Sequence, residues 1–215
     1  MTCYNRGMKN RDYKNFAPGA IFHIYNRGNN KEKIFFDEQD YRAFLFRLGL
    51  CLGFTEGELN KEKFIAIPYS RIRITEANKN NFKLLAFCLM PNHFHFLIKQ
   101  DGDVPISKLI SKLCTSYAMY INKKHKRVGH LFQDQFKAVL IENNPQLMWI
   151  SAYIHMNAVK DKIVKHPSEY KWSSYNDFVG KRNLLIVNKE FLIGTFGDVN
   201  NFIEQTLNFS VKGHP

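Results

Sequence analysis

Residues 89–99 read LMPNHFHFLIK, and this stretch constrains the chain more than any other. On a β-strand, side chains two apart share a face. His93 and His95 therefore look the same way, while Phe94 turns to the opposite face and into a core. Pro91-Asn92 interrupts the apolar run. Proline removes a ladder donor, so a bulge or bend is expected there. On this pattern, 83–90 and 93–99 form one interrupted strand or two strands in line. Two co-facing imidazoles can hold a metal ion, because histidine is the commonest metal ligand. Sheet proteins also carry histidine pairs with no ligand, so the spacing alone leaves both readings open.

The rest of the chain supplies elements around that strand. AIFHIYNRG, 20–28, is β-branched and aromatic and ends in a turn, which predicts a strand and then a basic loop, NRGNNKEK. Asp37 is a good N-cap, and Tyr41, Phe44, Leu45, Leu48 and Leu52 follow at helical spacing. A helix is predicted over about 105–124, with an apolar stripe of Ile106, Leu109, Ile110, Leu113, Tyr117 and Tyr120. A basic loop and a strand come next. Asn144-Pro145 then opens a helix to about 158, with Asn as cap and Pro at the first helical position. This order fits an α+β fold with helices packed mainly on one face of the sheet. Three segments are expected: a polar 1–18, a main domain over 19–180 with an insertion at about 53–83, and a C-terminal extension, 181–215.

Apolar residues make up 45% of the 215, enough for a core. The net charge of +12 points to a polyanionic partner, nucleic acid first and an anionic membrane surface second. The four cysteines are scattered without a C-x-x-C pair, which excludes a zinc-cysteine site and a disulfide framework. A reducing, cytoplasmic setting fits. The first residues hold no signal-peptide pattern. No run reaches the roughly 18 apolar residues of a membrane span.

In the helix at 145–158, Leu147, Ile150, Ile154 and Ala158 form the apolar stripe. Asn157 lies at its edge, with Tyr153 a little further round. The two are i and i+4, hence neighbours. Alone, they read as a core-edge tyrosine and a helix-ending asparagine. Tyr117 and Tyr120 are rival reactive tyrosines, although their stripe is that of core residues.

Taken together, CLMPNHFHFLI resembles the histidine–hydrophobic–histidine (HUH) motif of single-tyrosine transposases. The likeness is to the IS200-like group with its REP-associated members. FHIYNRGNNKEKIFFDEQDYRAFL, SYAMYINKKHKRVGHLFQDQFKA, SAYIHMNAVKDKIV and EYKWSSYNDFVG are similar to further segments of that group, in the same order, across about 20–180. The resemblance implies a ferredoxin- or RRM-like antiparallel sheet with the histidines on a central strand. It implies His93, His95 and Asn157 as ligands of a divalent metal, Mg²⁺ or Mn²⁺, and Tyr153 as the nucleophile. The implied activity is nicking and joining of single-stranded DNA through a 5′-phosphotyrosine, on hairpin-bearing ends of a repeated or mobile element. A domesticated, non-catalytic DNA- or RNA-binding module is the alternative, and a metal-dependent hydrolase a third reading. The expected partner is single-stranded or hairpin DNA, with no membrane; homodimer and monomer both stay open.

From Pro105 to Lys137 there are seven basic residues and one acidic one. This one-sided run favours phosphate tracking by Lys123, Lys124, Arg127, His130 and Lys137, with Arg27 a second contact region. Gln133 is a candidate reader of a base edge or sugar. Phe132 and Phe136 suit either base stacking or a core. Gln135 stands where the group often has Arg, which bears on substrate detail.

Overall fold

The computed structural model describes residues 17–66 and 79–209. Most of the polar segment 1–18, the middle of the 53–83 insertion and residues 210–215 lie outside the described residues.

Four strands form one antiparallel sheet: β1 (Ile21–Arg27), β2 (Phe82–Met90), β3 (His93–Gln100) and β4 (Lys137–Ile141), in the order β2-β3-β1-β4. The histidine strand is central. Met90 pairs directly with His93, so β2 and β3 are a tight hairpin turned at Pro91-Asn92. This corrects the expectation of strands in line. Pattern alone cannot tell a bend from a reversal, because both leave apolar residues on either side of the proline. The tertiary contacts decide it. The amides of Ile34 and Phe35 both donate to the Pro91 carbonyl, and that of Gly28 donates to the Asn92 carbonyl.

Helix α1 (Glu38–Cys51) starts at a capping box in which Asp37 accepts from the Asp40 amide and Asp40 from the Asp37 amide. A short helix, α2 (Glu56–Lys61), falls within the insertion. The long α3 (Ile106–Lys124) packs on α1, and both cover one face of the sheet. There Phe44 lies 5.2 Å from Phe94 and 4.7 Å from Tyr117, ring centre to ring centre. Phe94 and Phe96 are fully buried in this layer, as the strand period requires.

Helix α4 (Asn144–Lys160) packs against β2 and β3 from the opposite side, the histidine side. Its cap is Asn143, whose side chain accepts from the Gln146 amide, one residue before the expected cap. Leu147, Ile150, Ile154 and Ala158 are its buried stripe. After a single-turn helix, α5 (Tyr175–Phe178), the C-terminal α6 (Glu190–Phe196) and α7 (Val199–Leu207) pack on α4. Residues 170–174 run along the outer edge of β2: the Leu89 amide donates to the Trp172 carbonyl, and the Ser174 amide to the Phe87 carbonyl. That cover closes an edge that would otherwise offer unpaired amides.

Candidate active site on the histidine face

The register places the site residues before any side chain is considered. Arg27 pairs with His93, and Tyr25 pairs with His95 on one side and Lys137 on the other. His93, His95, Arg27, Tyr25, His23 and Lys137 therefore share one face of the sheet. Helix α4 lays Tyr153 and Asn157 over the β3 end of that face.

The two imidazoles meet nearly perpendicular, with ring centres 5.1 Å apart. The Tyr153 ring lies edge-on to His95, 5.5 Å away. Asn157, 2% exposed, lies between the two: its side-chain amide donates to the Tyr153 carbonyl at 3.3 Å, and its side chain acts on the titration of both the His93 imidazole and the Tyr153 phenol. The four residues that the resemblance singled out thus form one cluster within a single chain.

Hydrogen bonds orient His93. The Asn92 side-chain amide donates to the Lys31 carbonyl at 3.0 Å, which fixes its oxygen toward His93 Nδ1 at 2.7 Å. An amide oxygen only accepts, so His93 Nδ1 carries the proton and Nε2 keeps a lone pair. For His95, Nδ1 lies 2.9 Å from Nε2 of His23, a buried contact between stacked rings. His95 is left with Nε2 as its available nitrogen.

Burial keeps these rings neutral. It lowers the pKa of His93 to about 4, against an opposing pull from Asp161. Burial, followed by the neighbouring His23 and His93, holds His95 well below the usual histidine value. Burial alone takes His23 down to about 3. Neutral imidazole is the ligating form, so the donor set of two imidazole nitrogens and an amide oxygen fits a divalent cation. Among the described residues no group of three or more His, Cys, Asp or Glu side chains is placed to hold a metal. Burial raises the Tyr153 pKa, and the hydrogen bond from Asn157 works against that rise.

Several neighbours of Tyr153 were not singled out from sequence. Trp149, one turn earlier on α4, stacks on it at 5.6 Å and 5°. The Lys160 ammonium, two turns later, sits 4.9 Å from its ring centre. Phe209 packs on both Trp149 and Tyr153. The i−4 and i+7 spacings on an already predicted helix are the signal that would have found the first two. His23 and Tyr25 alternate on β1, which is the matching signal there.

Tyr117 and Tyr120 lie with α3 on the far side of the sheet. Tyr117 is fully buried and donates to the Ile34 carbonyl at 2.7 Å, while Tyr120 donates to Asp40. Neither reaches the histidine face. Among the basic candidates, Arg27 and Lys137 are exposed on that face, and Gln133 is exposed beside Arg27, its main-chain N–H donating to the Arg27 carbonyl. Lys123 and His130 are exposed near the end of α3 and in the following loop. Lys124 is engaged by Asp37 and Asp40 at 2.7 Å each, and Arg127 lies 3.5 Å from Glu32. Phe136 is buried and Phe132 packs toward Phe94, so both serve the core.

Residues 59–157 match the family model described as "Transposase IS200 like", a span that contains His93, His95, Tyr153 and Asn157. A comparison with curated proteins finds no match. Among solved structures, the fold is similar to that of a REP-associated tyrosine transposase bound to a REP hairpin. The identity is 14% and the TM-score 0.57, over 85% of this chain and 98% of that one. No helix among the described residues is long and apolar enough to cross a membrane.

Proposed function

We propose, from the IS200-like transposase match over residues 59–157, that the protein nicks and rejoins single-stranded DNA through Tyr153. The observation that carries this is the convergence of Tyr153 and Asn157 from α4 on His93 and His95 from β3. The similar solved structure, a transposase bound to a REP hairpin, supports hairpin-bearing repeat ends as the substrate. A cytoplasmic setting is part of the proposal, in keeping with free thiols at Cys51, Cys88 and Cys114.

The chemistry follows from the residues. The Tyr153 hydroxyl attacks phosphorus, the bond from phosphorus to the 3′ oxygen breaks, and the DNA 5′ end becomes esterified to the tyrosine. The leaving strand takes up a proton as a 3′-OH. Attack by a 3′-OH on the phosphotyrosine reverses the step, and because the ester keeps the phosphodiester energy, no nucleotide cofactor is needed. Asn157, whose amide donates to the Tyr153 carbonyl, favours the ionised form of the phenol. Trp149, stacked flat on the phenol, limits its ring to one plane. The Lys160 ammonium favours the charge that develops on the phenol oxygen and on phosphate. Mg²⁺ or Mn²⁺ held by His93, His95 and Asn157 would neutralise the non-bridging phosphate oxygens. Arg27, Gln133 and Lys137 on the same face, with Lys123 and His130 beyond, are the proposed strand contacts.

The test is a labelled single-stranded hairpin oligonucleotide with Mn²⁺ or Mg²⁺. A covalent protein–DNA adduct is expected with the native protein and none with Tyr153→Phe. An adduct that survives in Tyr153→Phe rules out Tyr153 as the nucleophile. Binding without any cleavage is the outcome for a non-catalytic module, and cleavage without an adduct that for a hydrolase.

A further inference from the structure

We infer that His23 is a positioning residue: it accepts the Nδ1 proton of His95 and so presents the His95 Nε2 lone pair to the Tyr153 side of the site. The inference rests on the proposed function of that site.

Two neutral imidazoles joined by one hydrogen bond have two arrangements. In one, His23 Nε2–H donates to His95 Nδ1. His95 then carries its own proton on Nε2, where it blocks ligation. In the other, His95 Nδ1–H donates to His23 Nε2, and His95 Nε2 is a bare lone pair. The contact is 2.9 Å with both rings buried. The rings stack 19° from parallel, which leaves His95 little freedom to turn over. His23 Nδ1 is buried with no partner in either arrangement, so nothing on its far side selects one. The selection comes from the site itself. A cation held at His95 Nε2 would exclude a proton there, which would leave the proton on Nδ1, where His23 Nε2 is placed to accept it.

This mirrors the other half of the site. Asn92 Oδ1 accepts from His93 Nδ1 and leaves Nε2 to the cluster. Each of the two candidate histidine ligands thus has its own acceptor behind it, and such outer partners orient a ligating histidine and tune its affinity. The two differ in kind, because an imidazole nitrogen replaces the more usual oxygen behind His95. β1 supplies it through strand alternation: Tyr25 pairs with His95, and His23 is the next residue on that face.

The experiment measures Mn²⁺ binding by the full chain, without DNA, from the electron paramagnetic resonance signal of free Mn²⁺. His23→Phe keeps a flat ring and removes the acceptor. It is expected to weaken Mn²⁺ binding by about tenfold or more, in the range for lost outer-shell partners. His23→Gln keeps an acceptor and is expected to stay within about threefold of the native protein, by the same reasoning. Native affinity in His23→Phe overturns the inference, as does an equal loss in both variants, which would mark a packing role. If His23→Phe fails to fold, long-range ¹H–¹⁵N spectra of the native protein with Mg²⁺ decide. The inference requires His95 protonated at Nδ1, and a proton at Nε2 overturns it. A native protein that forms the Tyr153 adduct while His23→Phe binds Mn²⁺ normally sinks this inference and leaves the proposed function standing. A native protein that neither binds Mn²⁺ nor forms the adduct sinks both.

Discussion

The Tyr153 ring meets His95 edge-on at 5.5 Å, although one residue belongs to α4 and the other to the centre of the sheet. The contact is made within one chain. It follows from how α4 docks: Leu147, Ile150, Ile154 and Ala158 bury against the sheet and the C-terminal helices, which puts Tyr153 and Asn157 at the rim over β3. A site completed in one chain makes a specific prediction. Tyr153→Phe and His95→Ala should each abolish the adduct, and a mixture of the two should also give none. Adduct formation in the mixture, absent from each variant alone, would show that one protomer supplies the tyrosine to another.

Lys123 and Lys124 are adjacent in sequence yet occupy different environments, and their substitutions should separate cleanly. Lys124 joins the end of α3 to the cap of α1 through Asp37 and Asp40, and Asp40 is fully buried. Burial works against its ammonium, but hydrogen bonds to Asp37 and Asp40 outweigh that and raise its pKa. Lys124→Met strips Asp40 of its main countercharge. The expected cost is about 2–3 kcal/mol, below the figure for a fully buried pair because water reaches the lysine. Lys123 is exposed. Lys123→Ala should leave the denaturation midpoint unchanged, weaken oligonucleotide binding and make the salt slope shallower by up to about one unit. Equal stability of the two variants in urea would refute the division.

The same contrast shows what a linear sequence reveals. The H-x-H spacing fixes a shared face because strand period is local, and the Tyr153–Asn157 pair is visible because helix period is local. The cap at Asp37 was legible for the same reason. The Pro91-Asn92 reversal was not, since the contacts that hold it come from the loop at 28–35. Lys124 read as one more cation in a basic run. Only the packing of α3 on α1 brings Asp37 and Asp40 to it. His23 went unnoticed because its partner, His95, lies 72 residues later in the chain and one strand over.

His155 gives a pH dependence whose sign can be worked out. It points away from the histidine cluster, into a ring of Tyr175, Phe178 and Phe202, with Nε2 2.8 Å from the Ser174 hydroxyl. Burial lowers its pKa from 6.5 to about 3. Between those values the unfolded chain binds a proton that the folded one refuses, so stability rises with pH across that window and falls on acidification. One such residue contributes a slope of at most about 1.4 kcal/mol per pH unit, roughly 2 kcal/mol between about pH 7 and pH 5. His93, His95 and His23 shift in the same direction, so the native protein alone cannot isolate the effect. His155→Gln can, because glutamine keeps a polar group toward Ser174 and does not titrate. Urea midpoints should be lower for the variant at about pH 7, where a well-packed imidazole is lost, with the gap narrowing by roughly 2 kcal/mol at about pH 5. A gap that stays constant with pH would mean that the folded protein accepts the proton at His155, contrary to its burial.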